Sequence, residues 1–93
     1  MNRFLVVDIV QLNTINRFAM TGVVREGTVF AGMHAYYTSS PANVGLEIMK
    51  VDLLGKGATP TDFQIALLLR LDDVVESGLN KKEFWIGKEI QCS

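Results

Sequence analysis

Three glycines stand five residues apart, at Gly22, Gly27 and Gly32, within a stretch from Arg17 to Tyr37 that is otherwise rich in apolar and β-branched side chains. A helix through this stretch would carry all three at a cost of about 1 kcal/mol each relative to alanine, and Thr21, Val23, Val24, Thr28 and Val29 are stiff at χ1. Paired strands accommodate the same residues. Arg25-Glu26-Gly27, between Val23-Val24 and Thr28-Val29, reads as a short hairpin loop whose glycine takes positive φ. The expected strands run from about Phe18 to Arg25 and from Thr28 to Ala31. Gly32 then supplies a second positive-φ turn or a bulge before Met33 to Thr38 continues.

The flanking segments extend this pattern. Phe4 to Leu12 is a β-branched run that suits a strand, broken at Asn13 to Asn16. Ser39-Ser40-Pro41-Ala42-Asn43 is a loop by composition. Val44 to Leu54 alternates imperfectly, which predicts a half-buried strand with a bulge near Met49 to Val51, and Gly55-Lys56-Gly57-Ala58-Thr59-Pro60 reads as the next loop. Thr61 to Gly78 is locally ambiguous. Thr61-Asp62-Phe63-Gln64 resembles a capping box, good helix formers follow, and Gly78 can end a helix, so a helix is the leading local reading. Ile65 to Leu69, apolar at every position, equally suits a strand covered on both faces. Asn80-Lys81-Lys82 is expected to be a polar turn, and Phe84 to Ile90 a final strand containing Trp85 and Ile86.

Composition bounds what such a chain does. Its 93 residues hold one domain, residues 1–93, and 48% hydrophobic content is enough for a core without staples. The lone cysteine, Cys92, precludes an intramolecular disulfide and a tetrahedral thiolate metal site. In the N-terminal run, Asp8 interrupts Phe4-Leu5-Val6-Val7 far short of a signal-peptide core or a membrane span, so the expectation is a cytoplasmic protein with no membrane partner. Nine basic and ten acidic side chains, interspersed, leave no electrostatic footprint for nucleic acid.

Residues that could carry chemistry are few. Gly55-Lys56-Gly57 lacks the spacing and the Lys-Ser/Thr pair of a phosphate-cradling loop. His34 is the single histidine, which forbids a His-His metal pair, and its ordinary role is a strand residue at a surface or core edge. Asp72-Asp73 and Glu76 form an acidic group of the kind usually found on a solvated turn. Ser39 and Ser40 have no base nearby in sequence, and Cys92 lacks flanking cations. Phe30, Tyr36, Tyr37, Phe63 and Trp85 offer aromatic surface, with the core as the usual destination. The expectation is therefore no enzyme, no catalytic or metal-binding residue and no cofactor, with the ligand-binding residues unknown.

Two segments carry a resemblance. Arg17-Phe18-Ala19-Met20-Thr21-Gly22-Val23-Val24-Arg25-Glu26-Gly27-Thr28-Val29-Phe30-Ala31-Gly32-Met33 and Ile65-Ala66-Leu67-Leu68-Leu69-Arg70, the latter followed by Asp73-Val74-Val75-Glu76-Ser77-Gly78, look like the second, β-barrel domain of translational GTPases such as elongation factor Tu. The likeness spans about Phe4 to Ile90. It implies an all-β fold, a small closed antiparallel barrel of six or more strands, in which Phe63 to Leu71 is a strand and the local helix reading is overruled. In that family the domain is not the GTPase; it packs on the nucleotide-binding domain and contacts RNA. Lys50 and Leu53 stand where the elongation factor's aminoacyl-end pocket has an acid and a base, and Gln64 stands near its asparagine, so the pocket is not carried over.

Four functional expectations follow. The leading one is a non-catalytic binding or adaptor module for a protein partner, linked to translation factors or the ribosome. The second is RNA contact through Arg17, Arg25, Lys50, Arg70, Lys81 and Lys82, should folding gather them. The third is a self-associating structural protein presenting Tyr36 and Tyr37. Enzymatic use of His34 or of the Asp72, Asp73 and Glu76 group is the last.

Overall fold

Six antiparallel strands hydrogen-bond in a ring, in the order β1-β2-β5-β4-β3-β6. They are β1 (Asn2–Leu12), β2 (Arg17–Glu26), β3 (His34–Tyr37), β4 (Val44–Lys56), β5 (Phe63–Arg70) and β6 (Glu89–Cys92), with one short helix, α1 (Leu71–Glu76). The structure, a computed structural model, describes residues 2–37, 44–56 and 63–93. The ring closes because β6 pairs with β1 on one side (Phe4 with Ile90) and β3 on the other (Ala35 with Cys92). Closing a sheet on itself removes most of the unpaired edge that an open sheet would expose.

Alternation sets the interior. Phe4, Val6, Ile9, Phe18, Met20, Ile48, Leu67, Leu69 and Ile90 point inward and are essentially inaccessible to solvent. One end of the ring is filled by the chain from α1 onward, where Val74, Leu79 and Trp85 are buried and Leu71 and Phe84 pack against the core. Val29 and Met33 pack against the core from the segment between β2 and β3.

The expected strand through Phe63 to Leu71 is present as β5, ending at Arg70, and the helix favoured on local grounds is confined to Leu71–Glu76. β5 has partners on both edges, with Leu69 opposite Phe18 on β2 and Ile48 on β4. Two ladders and an inward face packed in the core outweigh a helix propensity that differs by only tenths of a kcal/mol per residue. The bulge expected near Met49 is present as a register shift between Ile48 and Lys50. β4 continues through Gly55 to Lys56, longer than expected, and the rest of the expected loop, 57–60, lies outside the described residues, as does the loop at 39–43.

Two expectations are corrected. Thr28 to Ala31 is not a strand, and β2 does not form a hairpin with it. β2 is flanked instead by β1 and β5, while β3 lies across the ring, so the chain leaving Gly27 must cross over to reach it. The Thr28 amide donates to Asn2 Oδ1 (3.0 Å). Gly27 (φ 73°) and Gly32 (φ 94°) do bend the backbone as their positive φ requires. Gly22 does not bend: it is buried within β2, where a Cβ would collide with the Leu5 carbonyl oxygen of β1. The second correction concerns Phe84 to Ile90. Lys82–Phe84 is a single 3₁₀ turn, residues 85–87 continue as a turn, and the strand starts at Glu89. Trp85 drives this, because its indole enters the core and its Nε1–H donates to the Leu79 carbonyl (2.6 Å), a geometry a strand in the wall of the ring would not give.

Candidate binding surface

His34 sits exposed on β3, with its backbone exchanging hydrogen bonds with Ser93 (2.7 and 3.0 Å) and its ring 6.4 Å from that of Tyr36. Glu47 is its cross-strand partner on β4, and among the described residues no cluster of three or more His, Cys, Asp or Glu is placed to hold an ion. Asp72 is engaged structurally. Asn16 Nδ2 donates to its carboxylate (3.2 Å) while Asn16 Oδ1 accepts its backbone N–H (3.1 Å), a reciprocal clamp between the β1–β2 turn and α1. Asn16 itself is left-handed (φ 54°), a conformation asparagine tolerates better than most residues. Asp73 lends its carbonyl to Ser77, and Glu76 is exposed. Ser39 and Ser40 lie outside the described residues.

The aromatic residues divide. Trp85 and Tyr37 are buried and meet edge to face at 5.1 Å, so the expectation that Tyr37 is exposed for self-association is overturned. The Tyr37 ring belongs to the inward row of β3, and its hydroxyl accepts a hydrogen bond from Lys88 (3.3 Å), whose ammonium also lies over the ring at 5.1 Å. Tyr36 faces outward but lies flat over Gly45, its register partner on β4, and is half-buried. Phe30 is 60% exposed. The side chain of Phe63 is outside the described set.

Cys92 is buried on β6, and desolvation pushes its thiol up from 9.0 to about 11. It is held as a neutral thiol that behaves as a small hydrophobe.

The six basic candidates are only partly gathered. Arg17 and Arg70 are direct partners across β2 and β5, and Lys50 on β4 is the partner of Leu68, two residues before Arg70. Arg25 lies at the far end of β2 and approaches Glu89 at 3.9 Å. Lys81 and Lys82 are exposed in the turn after α1.

Sequence reasoning missed the outer wall itself. Antiparallel strands with one solvated face ordinarily place polar residues outward. Here one outward row reads Val10, Ala19, Leu68 across β1, β2 and β5 before it meets Lys50 on β4, and the next runs Asp8, Thr21, Ala66 and Asp52. Val10 is 44% exposed, and Ala19 and Ala66 are recessed beside larger neighbours. The row is assembled from three separate segments by register, so periodicity within any one of them carries no sign of it. Comparison with protein families, with curated proteins and with solved structures finds no match to the chain.

Proposed function

We propose that this protein is a non-catalytic binding module that docks a protein partner through the outer wall of β1, β2 and β5. One observation carries the reading: an outward row of Val10, Ala19 and Leu68 where a solvated sheet would place polar side chains. A short apolar strip on paired strands suits a partner surface of similar character, with Arg17, Lys50, Thr21, Asp8 and Asp52 as a polar rim.

The likeness to the second domain of translational GTPases belongs to the same proposal. It makes a GTPase-like or ribosome-associated protein the partner class, reached from a cytoplasmic location, and it rests on the glycine-spaced segment around β2 and on the apolar strand β5 ending in Arg70. The test is affinity capture from the native host with ribosome co-sedimentation at low salt. The wild-type chain is expected to retain a translation component that a Val10→Asp, Leu68→Glu variant with an unchanged circular dichroism spectrum loses. Recovery of no translation component, or equal recovery by the variant, refutes the reading.

A further inference from the structure

The β2–β5 register sets Arg17 directly opposite Arg70, and both point outward because their neighbours Phe18 and Leu69 are fully buried. The Leu71 amide donates to the Asn16 carbonyl (3.1 Å) in the adjoining step of the ladder. Arg17 and Arg70 are therefore a non-hydrogen-bonded pair, the kind whose side chains come closest. Two like charges in that position destabilise a sheet.

Other arginines of this protein are neutralised. Arg3 meets Glu26 (2.9 Å) and Glu89 (3.3 Å), and Arg25 approaches Glu89. Among the described residues, no carboxylate forms an ion pair with Arg17 or Arg70. The acid that follows in sequence, Asp72, is occupied by Asn16. The Arg17 fork is fixed from behind, with Nη1 donating to the carbonyls of Asn16 (3.1 Å) and Ile15 (3.4 Å), while its remaining N–H groups have no protein acceptor in the described residues. Lys50 adds a third cation on the same wall, tied to Asp52 by an exposed contact of 3.4 Å.

We propose that Arg17 and Arg70 form a binding site for a phosphate-type oxyanion, with Lys50 at its margin. A tetrahedral phosphate presents several acceptor oxygens, enough for the guanidinium groups of two residues set opposite each other across the ladder, and turns their mutual repulsion into shared attraction. The anion is either free phosphate or the phosphodiester of a single-stranded nucleic acid. The site goes beyond the docking reading and stands without it.

The test follows the arginine Nε–H resonances of the full ¹⁵N-labelled chain during titration with inorganic phosphate at constant ionic strength. Saturable shifts at both Arg17 and Arg70 are expected. Arg70→Gln removes the shift at Arg17 as well and weakens phosphate binding about tenfold or more, while Lys81→Gln responds as wild type. Arg17→Lys, which keeps the charge but loses the fork, reports the same weakening should Arg70→Gln fail to fold. A second arm uses a short single-stranded oligonucleotide. Tighter binding than phosphate, with a salt slope that falls by about 0.7 in Arg70→Gln, identifies a nucleic-acid backbone as the source; binding no tighter than phosphate identifies the free anion. Absence of a saturable shift, an equal response to sodium chloride, or an undiminished response in Arg70→Gln overturns the proposal.

Discussion

Gly22→Ala is the substitution this architecture tolerates least for its size. Gly22 is buried opposite Val6, at the point where β1 shifts register between Val6 and Asp8. An added Cβ falls on the Leu5 carbonyl oxygen, with the Leu5 carbonyl carbon and the Phe4 ring tip both at 3.0 Å. The first two obstacles are backbone, so relief requires β1 to move away from β2. Overpacking of this kind costs about 1–3 kcal/mol, and each ladder hydrogen bond lost in the separation adds about 1 kcal/mol. With one such bond lost the sum, about 2–4 kcal/mol, is a large share of the roughly 5–15 kcal/mol that holds a domain together, and it lowers the melting temperature of a chain this size by roughly 8–30 °C. Urea unfolding followed by Trp85 fluorescence measures it. Gly45→Ala is the comparison: its added Cβ meets the Tyr36 ring at 2.8 Å, but that ring can swing outward, and the cost is about 1 kcal/mol or less. A Gly22→Ala protein within about 1 kcal/mol of wild type refutes the close approach of β1 and β2.

Trp85→Phe removes the indole donor from the buried Leu79 carbonyl and is expected to cost about 2 kcal/mol or more by urea titration; a loss under about 0.5 kcal/mol contradicts the role given to that bond. Cys92, neutral until about pH 11 in the fold but titrating from 9.0 when unfolded, gives the unfolded chain fewer bound protons across that window. Its contribution is full below pH 9.0 and is lost as pH rises toward 11, so Cys92→Ala is expected to flatten the alkaline fall in melting temperature, and native protein at pH 8 is expected to react with a disulfide reagent far more slowly than unfolded protein. Reaction of native and unfolded chains at equal rates contradicts the burial.

Strand character was most legible where β-branched residues and glycines coincide. Phe4 to Leu12 and Phe18 to Arg25 lie within β1 and β2, and the imperfect alternation around Met49 marks a real shift in register. The glycines looked equivalent in the sequence yet serve two purposes: Gly27 and Gly32 turn the chain, whereas Gly22 makes room for a neighbouring backbone. Spacing cannot separate the two, because the second depends on which strand lies alongside. Pairing order was equally hidden. Thr28 to Ala31 has a good local composition for a strand, but its path is dictated by where β3 sits in the ring. Trp85 reads as a strand aromatic until its donor finds the Leu79 carbonyl.

The surface features follow the same division. Arg17, Lys50 and Arg70 were individually visible, but their juxtaposition arises from the β2–β5 and β4–β5 registers, between segments far apart in the chain. The apolar row through Val10, Ala19 and Leu68 is a product of the same registers. Burial of Tyr37 was decided by its parity on β3, which fixes Ala35 and Tyr37 inward and His34 and Tyr36 outward.

Interstrand nuclear Overhauser contacts test the ring most directly. Cα-proton contacts are predicted between Arg17 and Arg70, Ala19 and Leu68, and Thr21 and Ala66, together with contacts across the closing seam between Ala35 and Cys92 and between Phe4 and Ile90. A run of helical amide-to-amide contacts through residues 63–70, or a missing seam between β6 and β3, would contradict it.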